Sequence, residues 1–324
     1  MTRTLVSLTW CLSFSALADT GADETACKKG NASACARAGR ALIDAEEYAR
    51  AKPVLEKGCQ HNSFESCDDL GWIYDDGLGV DIDKAKAAES YARSCKGGFA
   101  RGCTNEGVMH LKGEGVPKDS KKAADCFQKA CDGKNQPGCR DLALRFLNGD
   151  GRTKDLKKAR ELFTTTCEKG DAASCLDTGI MYLNGEGVEK DPKAAGDWFQ
   201  KGCDGGSNRA CRDLAFRYLE GDGRRKDLKR AREFFDDLCE KKDGASCNDL
   251  AIMFLNGEGT PKDLIKARTT FETACQLESG SACYDLGVMY WNGEGTPKDK
   301  VLARKTFKRG CELGYQKSCD QKDK

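Results

Sequence analysis

Cysteine recurs in this chain with a fixed period. Nine pairs share the spacing C-x7-C, at Cys27/Cys35, Cys59/Cys67, Cys95/Cys103, Cys131/Cys139, Cys167/Cys175, Cys203/Cys211, Cys239/Cys247, Cys275/Cys283 and Cys311/Cys319. From Cys59 onward the first member of each pair advances by 36 residues. A constant period in the range of roughly 20–50 residues marks a stacked array, in which each unit buries its apolar face only against its neighbours. The first unit, Cys27 to Gly58, is four residues shorter, and only Cys11 and Cys126 fall outside the pairs.

Stacking the units on their first cysteine exposes the positions the architecture needs. Four residues after the second cysteine stands a small residue: Gly71, Gly107, Ala143, Gly179, Ala215, Ala251 and Gly287. Such residues let two helices approach closely. Three residues later comes an aromatic residue or His: Tyr74, His110, Phe146, Tyr182, Tyr218, Phe254 and Tyr290. A G-x-G follows, as in Gly113-Glu114-Gly115, and reads as a helix stop where positive φ is needed. Next is an Asp (Asp83, Asp119, Asp155, Asp191, Asp227, Asp263 and Asp299), placed to cap a second helix. Inside that helix Ala and an aromatic stand at i and i+4, from Ala87/Tyr91 through Ala123/Phe127 to Ala303/Phe307, on one buried face. Each unit is therefore helix A, a glycine turn, helix B and a cysteine.

The pattern predicts an all-α chain: a signal peptide at 1–18, a lead-in at 19–34, a solenoid of eight hairpins over 35–311, and a polar cap at 312–324. Arg3, the apolar run Leu5 to Leu17 and Ala16-Leu17-Ala18 before Asp19 have the form of a secretory signal. No later stretch approaches the roughly 20 apolar residues of a membrane span. With 20 cysteines in 324 residues, a reducing cytosol would be a poor home, so the chain is expected to be exported, periplasmic or secreted. Formal net charge is +1 and falls to zero if Arg3 leaves with the signal, which argues against a nucleic-acid partner.

Two disulfide schemes fit the spacing. In one, each C-x7-C closes on itself; in the other, Cys67 joins Cys95 across a hairpin. The first uses all eighteen repeat cysteines, whereas the second strands Cys27 and Cys319, and the first is preferred. Zinc sites favour closer cysteine knuckles mixed with His, and the chain has only His61 and His110, so neither a metal nor any other cofactor is expected.

The run C-x7-C-x-D-L-G-x-M-Y-x-N-G-E-G-x-x-K-D-x-x-x-A-x-x-x-F, read from Cys275 to Phe307, resembles the Sel1-like repeat. With its paired cysteines it is similar to the Helicobacter cysteine-rich protein family. The resemblance covers nearly all of the chain after the signal, and departs in the short first unit, at Ile82 and at His110. It implies a right-handed superhelix of αα hairpins with a concave face lined by helix A, bridges within each C-x7-C, and export. Members of the family are described as binding penicillins with weak β-lactam hydrolysis; Sel1-like proteins more broadly resemble adaptor scaffolds. Fold does not choose between these.

The residues lean toward binding. No S-x-x-K, K-T-G or G-x-S-x-G occurs, two histidines are too few for a metal-dependent hydrolase, and no catalytic residue is assigned. The expected partner is a protein or peptide held by a monomer. A β-lactam or peptidoglycan-related small molecule is the alternative ligand, with weak β-lactamase activity the alternative function. The candidate partner-binding residues lie six positions after each second cysteine: Met109, Arg145, Met181, Arg217, Met253 and Met289, with Ile73 at the same place. Asn148, Asn184, Asn256 and Asn292, three residues on, share that face. Met and Arg are enriched at interfaces. A plainer reading makes Met a gap-filler between hairpins, and Arg145 and Arg217 helical ion-pair partners of Asp141 and Asp213.

Overall fold

A computed structural model describes residues 20–321; residues 1–19, including the expected signal, and 322–324 lie outside the described residues. Among the described residues all regular secondary structure is helical, and the chain divides into two compact units at Thr166/Cys167. The first holds α1 (residues 20–28), α2 (Ala32–Asp44), α3 (Tyr48–Gln60), α4 (Phe64–Asp76), α5 (Lys84–Lys96), α6 (Ala100–Lys112), α7 (Ser120–Asp132), α8 (Gln136–Asn148) and most of α9 (Leu156–Glu168). The second holds α10 (Ala172–Asn184), α11 (Pro192–Asp204), α12 (Asn208–Glu220), α13 (Leu228–Glu240), α14 (Gly244–Asn256), α15 (Leu264–Gln276), α16 (Gly280–Asn292), α17 (Lys300–Glu312) and the short α18 (Gln316–Cys319). From α2 to α17 even-numbered helices are A and odd-numbered ones B.

Each hairpin is built by the same local chemistry. Helix A ends on the first glycine of the G-x-G, in the left-handed region: φ is 69° at Gly77, 76° at Gly113 and 75° at Gly185. The chain then returns so that the Asp before helix B donates its N–H to the carbonyl of the aromatic position of helix A, as in Asp191 N–H to Tyr182 O at 2.9 Å. The same Asp caps helix B with its carboxylate, as Asp299 accepts from the Leu302 N–H at 2.8 Å. An open helix N-terminus is thereby closed by the residue that closes the turn.

The core follows the stripe of helix B. Phe127, Phe163, Phe199, Phe235 and Phe271 are fully buried, as are Ala123, Ala159, Ala195, Ala231 and Ala267. The small position of helix A sits on that ring within its own hairpin: a Cβ on Gly179 would lie 2.5 Å from Phe199, and one on Gly107 2.5 Å from Phe127. The second glycine of the G-x-G joins neighbouring hairpins. At Gly115 φ is 68°, and a Cβ would fall 1.9 Å from the carbonyl oxygen of Lys84 in the preceding helix B; Gly151 meets Ser120 at the same distance. The repeated glycine pair is thus a helix stop followed by a backbone-on-backbone seat.

All nine C-x7-C pairs are bridged locally: Cys27–Cys35, Cys59–Cys67, Cys95–Cys103, Cys131–Cys139, Cys167–Cys175, Cys203–Cys211, Cys239–Cys247, Cys275–Cys283 and Cys311–Cys319, with Cα atoms 4.3–4.7 Å apart. Each bridge ties the end of one B helix to the start of the next A helix. Its second sulfur points inward, because the first turn of helix A packs on the preceding helix B. Cys103, Cys139, Cys175, Cys211, Cys247 and Cys283 are all buried, as are Cys35 and Cys67, whereas Cys319 on the terminal α18 is half-buried. The bridges are therefore internal staples, and these eight buried cysteines offer no surface to a partner. Cys126 is the free cysteine among the described residues, buried in α7. Within each unit, A helices also touch A helices, α2 with α4, α4 with α6 and α6 with α8, then α10 with α12 and α14 with α16.

Candidate functional site

Helix A presents three columns to its open side. Counting from the second cysteine, position two is Asp or Asn, position five is apolar and position nine is polar. In the second unit these are Asp177, Asp213, Asp249 and Asp285; Ile180, Phe216, Ile252 and Val288; and Asn184, Glu220, Asn256 and Asn292. The apolar column is half-buried and the position-nine column exposed. Spacings of three and seven keep all three columns on one helical face.

The methionines lie elsewhere than the binding-ribbon reading placed them. Met109, Met181, Met253 and Met289 are 1–2% exposed, and Ile73 is fully buried. Met109 joins the cluster formed by Leu70, Tyr74 and Tyr91 of the preceding hairpin and so fills the seam there, and Met253 and Met289 join the core cluster of the second unit. A partner cannot touch these side chains without prising the hairpins apart. Of the candidates, Asn148, Asn184, Asn256 and Asn292 are exposed.

Arg145 and Arg217 occupy the same seam position but turn outward at its edge. Arg145 Nη1 donates to Asp150 at 2.6 Å, and Arg217 Nη1 to Asp222 at 2.6 Å, with Glu220 3.1 Å from Nη2. The hydrogen-bonded ion pair of each Arg is therefore with the following turn, while Arg217 also acts electrostatically on Asp213 one turn back. The sequence carried this signal: the two units with Arg have G-D-G, whereas units with Met have G-E-G.

The position-two carboxylates stand out electrostatically. Burial pushes Asp285 up to about 6, with only Lys317 drawing it back, and raises Asp213 and Asp249 as well, although Arg212 bonds Asp249 at 2.7 Å. In the first unit Asp69 is also pushed up to about 6 by burial, against the opposing pull of Arg40 and Arg101. These groups border a cleft of about 350 Å3 with Asp68, Trp72 and Asn105. Arg101 pairs with both Asp68 and Asp69, Asn105 donates to Asp68 at 2.8 Å, and Asp69 Oδ2 is buried without a partner. The acidic column was present in the sequence, yet its burial was not, because it depends on neighbouring A helices, as where Arg40 and Arg101 close on Asp69 and Arg212 on Asp249.

Seven consecutive segments match the Sel1 repeat, at residues 65–99, 100–135, 136–171, 172–207, 208–242, 244–279 and 280–315. The chain belongs to the Sel1 repeat family. This Sel1 repeat protein is similar in fold to c5321, a protective antigen present in uropathogenic Escherichia coli strains displaying an SLR fold, with 24% identity over 94% of this chain and a TM-score of 0.75. The match spans 66% of the antigen's length. A Sel1 repeat protein from Oxalobacter formigenes shares 21% identity over 98% of this chain and 91% of its own, with a TM-score of 0.74. Helicobacter pylori cysteine rich protein B is 24% identical over 52% of this chain and 94% of its own, at a TM-score of 0.21. No curated protein matches in sequence.

The Sel1 scaffold is a protein-interaction architecture, and nine bridges suit an oxidising, extracytoplasmic environment. No helix among the described residues is long and apolar enough to cross a membrane.

Proposed function

We propose that the chain is an exported, non-catalytic scaffold that holds a protein or peptide partner on the open face of its A helices. The observation that carries this reading is the column of half-buried apolar side chains at Ile180, Phe216, Ile252 and Val288, between a row of Asp and a row of Asn and Glu, with Arg212 over the Phe216 ring. An apolar strip rimmed by polar groups is the anatomy of an interface rather than of a solvated surface. The first unit repeats the arrangement with Trp72, Val108 and Leu144. The signal-like residues 1–18 and the bridges support export together.

The β-lactam reading gains nothing from the geometry. Cys126, the free thiol, is pushed up to about 12 by burial, which keeps it far from the thiolate a nucleophile needs. Partner capture from periplasm or culture medium, with the mature chain as bait, tests the scaffold. Asn184→Arg with Asn256→Arg places two bulky cations on the exposed face and is expected to leave the melting temperature unchanged while abolishing capture. Capture that survives the pair would move the partner to another surface.

A further inference from the structure

The turn between α12 and α13 departs from its counterparts in charge. The corresponding turn before α9, Gly151-Arg152-Thr153-Lys154, carries four cations over residues 152–158, and the remaining turns read Gly-Val-Asp-Ile, Gly-Val-Pro-Lys, Gly-Val-Glu-Lys or Gly-Thr-Pro-Lys; this one, the most basic, reads Gly223-Arg224-Arg225-Lys226, and α13 adds Lys229 and Arg230 in its first turn. Five cations therefore fall within seven residues of a chain whose formal charge is only +1. Arg225, Lys226, Lys229 and Arg230 are exposed, and Arg225, Lys226 and Arg230 form no ion pair among the described residues. The one carboxylate inside the run, Asp227, is engaged in capping α13, accepting from the Arg230 N–H at 3.0 Å.

The patch is also built rather than merely charged. Tyr218 supplies a flat ring on which Arg230 lies at 4.6 Å and Arg224 at 5.5 Å from the centroid. Arg224 is held further by Asp197 at 2.9 Å and by the Tyr218 hydroxyl at 3.4 Å. Arg224, Arg225, Lys226 and Arg230 border, with Tyr218, Leu228 and the capping Asp227, a cleft of about 620 Å3. Two guanidiniums are thus fixed by stacking, while two further cations stand free beside them. Fixed guanidiniums favour planar oxyanions, because their paired donors match both oxygens of a carboxylate.

We infer that this cationic cleft is a second docking surface, separate from the A-helix face, for a carboxylate-rich segment of a protein partner. Its like-charged groups repel one another in the free chain, and an acidic peptide relieves that repulsion as it binds. Such a contact steers association and weakens as salt screens it.

Fluorescence anisotropy with a labelled hexaglutamate peptide, and hexaglutamine as the neutral control, tests the assignment on the full mature chain. Saturable binding of hexaglutamate alone is expected, weakening at least about tenfold when ionic strength rises from about 50 mM to about 300 mM. Arg225→Glu with Lys226→Glu should weaken it by at least about tenfold, while Lys305→Glu with Lys308→Glu, an exposed pair on α17, should leave it unchanged. All four side chains are exposed, so folding is preserved. Absence of saturable binding, equal loss in both double variants, or tighter binding of labelled hexathymidylate than of hexaglutamate would each overturn the inference. Partner capture lost only in the A-helix variants, with hexaglutamate binding intact, keeps the two surfaces distinct.

Discussion

Two glycines separate conformational strain from collision. Gly98 has φ of 86° with nothing within 4 Å of an added methyl, whereas Gly115 combines φ of 68° with a Cβ 1.9 Å from Lys84 O. Gly98→Ala is expected to cost only the left-handed penalty, about 1–2 kcal/mol. Gly115→Ala adds overpacking of about 1–3 kcal/mol and should open the seam between hairpins. Melting temperatures of the two variants check the order; equal losses would mean that the backbone seat contributes nothing. Asp285 supplies a test of opposite sign. Its folded carboxyl titrates at about 6 against an ordinary 3.8, so the folded state favours the neutral form. This group's penalty is absent below about pH 4, grows as pH rises through 6, and reaches about 3 kcal/mol at neutral pH. Asp285→Asn should therefore stabilise the chain by about 1–3 kcal/mol at pH 7, with the gain vanishing near pH 4, as read by denaturant unfolding at both.

At the scale of the element, helix B carries the core and helix A carries the variation. Phe235→Ala removes a fully buried ring that meets Phe216 edge-on at 5.3 Å, and should cost about 3–5 kcal/mol. Met181→Ser with Met253→Ser is likewise expected to lower melting, since both side chains are about 1% exposed. Retained melting with lost capture would return those methionines to the surface. The stripe of helix B was legible because Ala and aromatic recur at i and i+4 in every full unit. Which side of helix A is open was not. Positions five and six after the second cysteine lie about 50° on either side of the direction shared by positions two and nine. Pattern alone favours neither, and the packing of the preceding hairpin buries position six.

For the whole molecule the bridges are the feature most open to measurement. Peptide mapping without reduction should recover nine links, each within one C-x7-C, and a single free thiol at Cys126. A Cys67–Cys95 peptide would refute the local pairing. Each nine-residue ring contributes roughly 2.6 kcal/mol by restricting the unfolded chain. Reduction should lower the melting temperature while helical circular dichroism persists, because the Phe and Ala stripe stays buried.

The sequence by itself determined the repeat, the hairpin within it, the capping Asp, the glycine stop and the stripe of helix B. Each of these rests on contacts within one unit, where spacing along the chain fixes direction in space. The tertiary structure alone decided that Met109 closes a seam, that Arg145 reaches Asp150, and that the Asp column is desolvated. It also decided that Gly115 seats on Lys84, and that the second sulfur of each bridge from Cys35 to Cys283 faces inward. Those contacts join one hairpin to the next or fold a side chain around a turn, and their outcome depends on the angle between neighbours. That angle is set by the packing of one hairpin on the next, so no single unit's residues encode it.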